Sequence, residues 1–74
     1  MTTSEVLTEQ ALSLASTGAV REDAVRELLT ASGDHRVAVV RARQSLLARS
    51  AEQEDETTAQ AVELLDAVLN RLPV

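Results

Sequence analysis

Residues 37–72 read VAVVRARQSLLARSAEQEDETTAQAVELLDAVLNRL and contain more than half of the valines and leucines of the chain. Neither Gly nor Pro interrupts this stretch. Many of its apolar residues follow an alternating three–four spacing, which aligns them along one side of a helix. They are Val37, Val40, Leu47, Ala51, Ala61, Leu65, Val68 and Leu72, with the polar residues Gln44, Glu54 and Thr58 at the remaining positions of the series. The stretch therefore predicts helical structure with one apolar seam.

The seam is interrupted near its middle by a cluster of acids. We call this cluster the acidic turn; it consists of Glu52, Glu54, Asp55 and Glu56. We interpret residues 54–56 as a break between two helices that fold back on each other as a hairpin. The alternative is one continuous helix over residues 35–72, about 57 Å long at 1.5 Å per residue. The unbroken three–four register and the absence of Gly and Pro favour that alternative.

Two glycines divide the first half of the chain. Thr2 and Glu5 have the spacing of a capping box, which predicts a helix over residues 3–17 that ends at Gly18. A second helix is predicted over residues 20–32, with Gly33 at its end. Glycine suits both ends because it adopts a positive φ without steric cost.

The second half is predicted to contain two further helices. Asp34 is a suitable N-cap for a helix over residues 35–53. Thr57 and Gln60 again have capping-box spacing, in front of a helix over residues 58–72 that Pro73 terminates. The whole chain, residues 1–74, is thus predicted to be a single all-α domain: a small four-helix bundle of two antiparallel αα-hairpins.

Composition restricts the classes of function. Twelve acids against seven arginines give a net charge of −5, which disfavours nucleic acids and anionic membranes as partners. There is no cysteine and no aromatic residue, so disulfides, thiolate metal sites and base-stacking platforms are excluded. No apolar run is long enough to span a bilayer, and residues 1–5 do not have the character of a signal peptide. We expect a cytoplasmic protein.

No residue pattern typical of catalysis or cofactor binding is present. His35 is the single side chain that titrates near neutrality when unperturbed, but no nucleophile motif accompanies it. The acidic turn lacks the alternating ligands and distal Glu of a calcium loop. Nucleotide-binding glycine motifs do not occur. We therefore expect no catalytic, cofactor-binding or metal-binding residues, and a protein that is not an enzyme.

One alternative function is DNA binding by a helix-turn-helix over residues 14–28. The turn at residues 17–19 and the apolar residues Val20, Val25 and Leu28 fit that pattern. The second helix, however, would present Glu22 and Asp23 where phosphates are normally contacted.

The preferred prediction is a protein–protein interaction module, adaptor or regulatory. A single small core without disulfide or metal is marginally stable, so another chain is expected to support it. We expect that chain to be a second copy, in a homodimer. Leu46 and Leu64 lie off the seam and are the candidate interface residues.

Overall fold

The computed structural model describes residues 2–33 and 35–72, which form four helices. These are α1 Thr3–Ser16, α2 Arg21–Ser32, α3 Arg36–Glu52 and α4 Glu56–Arg71, and no strand occurs in the described part of the chain. The predicted all-α four-helix bundle is confirmed. Each helix agrees with its predicted range to within about two residues.

The ends of α1 and α2 follow the predicted chemistry. The Thr2 hydroxyl accepts a hydrogen bond from the backbone N–H of Glu5 at 3.3 Å, which satisfies one of the free donors at the start of α1. Gly18 and Gly33 have φ values of +71° and +55°. A side chain at either position would strain the backbone, so each glycine is suited to the end of its helix.

α3 and α4 are separate helices joined by residues 53–55. The continuous helix over residues 35–72 is thereby excluded. An ion pair between Arg43 of α3 and Asp66 of α4 agrees with α4 folding back along α3. The arrangement of all four helices as two antiparallel hairpins stays a prediction.

The start of α4 differs from the predicted one. Its N-cap is Asp55, whose carboxylate accepts a hydrogen bond from the backbone N–H of Thr57 at 3.1 Å. The predicted cap at Thr57 is wrong, because an Asp two residues earlier caps equally well and allows α4 to be longer. The predicted cap of α3, Asp34, lies outside the described residues.

All four helices contribute to one apolar core. Its fully or nearly fully buried hydrophobic residues are Leu7, Ala11, Ala24, Val25, Leu28, Val39, Ala42, Leu46, Ala61, Leu64, Leu65, Val68 and Leu72. The contact between α3 and α4 is the most extensive, and α4 also packs against α1 and α2. Helix α4 is therefore the one around which the others are arranged.

The predicted seam is correct on α4. Ala61, Leu65, Val68 and Leu72 are all buried. Thr58, which we expected to interrupt the seam, is 2% exposed and continues it. A polar residue such as Thr58 can therefore be buried at a seam position of α4.

On α3 the residues of the predicted seam do not form part of the core. Val37 is 66% exposed and Leu47 is 41% exposed, and Ala51 is exposed as well. The core instead receives Val39, Ala42 and Leu46, which are also spaced by three and four residues. Helix α3 has two apolar stripes, and periodicity alone does not indicate which of them faces inward.

Leu46 and Leu64 are consequently core residues. Leu46 is 0% exposed and Leu64 is 8% exposed. The candidate interface rested on both leucines lying outside the core, and that premise is wrong. Leu46 has no free surface to offer a second chain in this fold.

Candidate interaction face

The two apolar stripes of α3 lie on nearly opposite sides of the helix. At 100° per residue, the buried stripe of Val39, Ala42 and Leu46 is separated from the other by roughly 150°. We call the second stripe the outer face; it consists of Val37, Val40, Gln44, Leu47 and Ala51. Helix α3 is therefore apolar both toward the core and toward the outside of the bundle.

The outer face is accessible along the length of α3. Val37, Gln44, Leu47 and Ala51 are exposed, and Val40 is half-buried. Within the described residues the exposed large hydrophobic side chains are Val6, Val20, Val37 and Leu47, so half of them belong to this face. Scattered surface hydrophobics are ordinary. A row of them spaced by three and four residues is the pattern by which helices pack against partner helices.

A salt bridge borders the outer face on the side of α4. The guanidinium Nε of Arg43 donates a hydrogen bond to Oδ1 of Asp66. Both side chains are partly exposed, so the pair contributes only about 0–1 kcal/mol. The position of this salt bridge is informative, because it identifies which side of α3 faces α4.

Apolar residues that are exposed or half-buried flank this salt bridge on both helices. Val40 and Leu47 are three residues before and four after Arg43. Val62 and Leu69 are four residues before and three after Asp66, and both are half-buried. The apolar surface of the outer face therefore extends toward α4.

The outer face has charges of opposite sign at its two ends. Arg36 and Arg41 are exposed near the N-terminal end of α3, and the acidic turn is exposed at the C-terminal end. Arg36 precedes Arg43 by seven residues and so lies on the same side of α3, toward α4. Residues 54–56 of the acidic turn lead from α3 to α4 and so lie toward α4 as well, whereas Arg41 and Glu52 lie toward the other edge of the outer face. Arg36 and residues 54–56 thus share one edge of the outer face.

The other surface features of the described residues give weaker indications of a binding site. A shallow groove between the C-terminal end of α1 and α4 is lined by Leu14, Ala15, Arg21, Glu63 and the small exposed part of Leu64. His35 is exposed beside the start of α3. Over residues 2–33 and 35–72, no three His, Asp or Glu side chains are grouped so that they could hold a metal ion. None of the described helices is both long and apolar enough to cross a membrane.

The exposed side of α2 is the surface that a helix-turn-helix would use. It carries Glu22, Asp23 and Glu27 together with Arg21 and Arg26, all exposed. Three acids and two arginines give this surface a net negative charge, which opposes contact with phosphates. The structure adds no feature that favours DNA binding through residues 14–28.

The outer face is the part of the predicted seam that lies on α3. The three–four spacing identifies Val37, Val40, Leu47 and Ala51 as one stripe that includes Gln44, but it does not indicate whether that stripe is buried. One difference between the two stripes is visible in the sequence: Gln44 lies in the middle of the outer stripe, whereas Val39, Ala42 and Leu46 contain no polar member. The buried Thr58 of α4 shows that a polar member does not by itself decide burial.

Comparisons with known protein families, curated proteins and solved structures find no match to this chain.

Proposed function

We propose that this chain is a non-catalytic protein–protein interaction module, adaptor or regulatory, whose contact surface is the outer face of α3. One observation carries the proposal. A helix that already gives the core Val39, Ala42 and Leu46 has a second apolar stripe at helix-pairing spacing, with Val37 66% exposed. Exposing such a row to water has a cost that contact with another chain would remove.

The proposed partner surface is itself a helix or a groove between helices. Residues spaced by three and four present a narrow ridge, and such a ridge packs into the grooves of another helical surface. The absence of aromatic residues from the sequence means that this contact rests on Val and Leu side chains. We therefore expect moderate affinity, since aromatic residues dominate the tightest interfaces.

A matched pair of valines tests the proposal. Val37 and Val20 are 66% and 65% exposed, but only Val37 belongs to the outer face. Tagged wild-type protein, Val37→Glu and Val20→Glu are each used as bait in the native lysate. We expect wild type and Val20→Glu to capture the same partners in similar amounts. Val37→Glu should capture at least about tenfold less of them than wild type, because the introduced carboxylate would be desolvated at the contact.

The fold should tolerate both substitutions. Position 37 lies in the first turn of α3, where an acid interacts favourably with the partial positive charge of the helix N-terminus. Circular dichroism of the two variants should match that of wild type. Capture that is unaffected by Val37→Glu would show that the outer face is not the contact surface.

The DNA-binding alternative has a separate readout. A mobility-shift assay of the wild-type protein with duplex DNA should show no complex at physiological salt. A complex that disappears on replacing Arg21 and Arg26 with Ala would instead support the helix-turn-helix, because those arginines are the exposed cations of α2.

A further inference from the structure

We propose that the partner of the outer face is a second copy of this chain, bound antiparallel through α3 about a two-fold axis close to Gln44. The inference rests on the proposed function, since it names the occupant of the same surface. Three features of the outer face support it: the position of Gln44, the spacing of the apolar residues on either side, and the opposite charges at the two ends of α3.

Gln44 is the central residue of the outer face. Val37 and Ala51 each lie seven residues from it, at the two ends of the stripe. A two-fold axis near Gln44 therefore places Val37 of one copy opposite Ala51 of the other and the two Gln44 side chains opposite each other. A Gln amide has both donors and an acceptor, so two of them can hydrogen-bond to each other across the axis. A polar residue at one seam position is a known way to fix register.

The charges select the antiparallel orientation. Arg36 and residues 54–56 lie at opposite ends of α3; Arg36 is on the side of Arg43, which faces α4, and residues 54–56 lead into α4. A two-fold rotation exchanges the ends of the helix and keeps the sides, so Arg36 of each copy is brought beside residues 54–56 of the other. A parallel pairing would instead gather the two acidic turns at one end of the dimer, and like charges repel.

The charge at the N-terminal end of α3 is unusual within a single chain. The first turn of α3 contains Arg36 and no acid, whereas its last turn contains Arg49 beside the acidic turn. Helices are stabilised by acids near the N-terminus and bases near the C-terminus, so the N-terminal end of α3 lacks its usual acid. An antiparallel copy supplies acids to the N-terminal end of α3.

The dimer should be weak and reversible. A stable interface buries about 800 Å² per partner, and one helix face of five residues provides less. We expect a dissociation constant in the range of roughly tens to hundreds of micromolar. Sedimentation equilibrium of the wild-type protein from about 10 μM to 1 mM should show a monomer–dimer equilibrium in that range.

Matched variants locate the interface. Val37→Glu should weaken the dimer at least about tenfold, because it would put a carboxylate at the apolar contact. Val20→Glu, with the same exposure and the same change of charge, should leave it unchanged. Arg36→Glu should weaken it by roughly three- to tenfold through repulsion from the acidic turn. Arg26→Glu on α2 is the control for that change of charge.

Cysteine cross-linking tests the orientation, and the chain has no native cysteine to remove. Gln44→Cys should oxidise to a disulfide-linked dimer. A mixture of Val37→Cys and Ala51→Cys proteins should form the mixed dimer. Val37→Cys alone should not, because positions 37 and 51 are 14 residues apart along the helix. In the antiparallel pair the two copies of residue 37 are thus separated by about 21 Å, too far for a disulfide.

Two results would overturn the proposal. A wild-type protein that is monomeric at 1 mM excludes the second copy as partner, and rapid cross-linking of Val37→Cys alone shows a parallel pair instead. The lysate capture distinguishes this failure from failure of the proposed function. Capture that still depends on Val37 in a monomeric protein leaves the outer face as the contact surface for a different chain. A protein that is monomeric at 1 mM and whose lysate capture does not depend on Val37 would contradict both the proposed dimer and the proposed function.

Discussion

Adjacent leucines in α3 have opposite environments. Leu46 is 0% exposed in the core, whereas Leu47 is 41% exposed on the outer face. One residue of helix turns a side chain by 100°, so neighbours in sequence are assigned to different surfaces by the packing of α3 against α4 and α1. The assignment of these two leucines decides which stripe belongs to the core and which to the surface.

Alanine substitution should separate the two leucines. Leu46→Ala removes buried methyl groups and leaves a cavity, so it should lower the free energy of unfolding by about 2–5 kcal/mol. In a domain of 74 residues such a loss is comparable to the whole stability. Leu47→Ala should lower the free energy of unfolding by less than about 1 kcal/mol. Urea titration at about 5 μM, a concentration at which the proposed dimer would be largely dissociated, measures both losses. Equal losses would contradict the assignment of the stripes.

Helices α4 and α3 show what the sequence can and cannot determine. On α4 one apolar stripe stands opposite exposed residues such as Gln60, Glu63 and Asn70, so its buried side was predictable. On α3 two stripes of similar size compete, and the choice depends on which one complements the rest of the bundle. The ends of α1 and α2 were predictable because Thr2, Gly18 and Gly33 act through local backbone chemistry. Two competing caps, Asp55 and Thr57, made the start of α4 harder to predict.

Gln44 should limit the strength of pairing between copies of α3. Gln44→Leu removes the polar residue from the middle of the outer face and should strengthen self-association about tenfold, at the expense of a unique register. The same substitution at Gln60, exposed on α4 and outside the outer face, is the matched control. Sedimentation velocity of both variants at 100 μM measures the effect. A Gln44→Leu protein that associates no more than Gln60→Leu would indicate that position 44 is not in the contact.

The whole molecule is small, and α3 is comparable to it in length. The described chain extends 31 × 23 × 23 Å, and the 17 residues of α3 are about 25 Å long. The outer face therefore runs along most of one side of the molecule. The accessible surface is 4725 Å², so an interface of standard size, about 800 Å², would cover about one sixth of it. Contact through α3 alone would leave most of the surface free.

Dilution of isotope-labelled protein, followed by backbone amide chemical shifts from 1 mM to 20 μM, tests the antiparallel contact most directly. The signals of the outer face and the acidic turn, including residues 37, 40, 44, 47 and 51–56, should shift with concentration, while the signals of Val20 and of α2 stay constant. Shifts that are independent of concentration throughout α3, or that occur instead along α2, would contradict the contact proposed for the outer face.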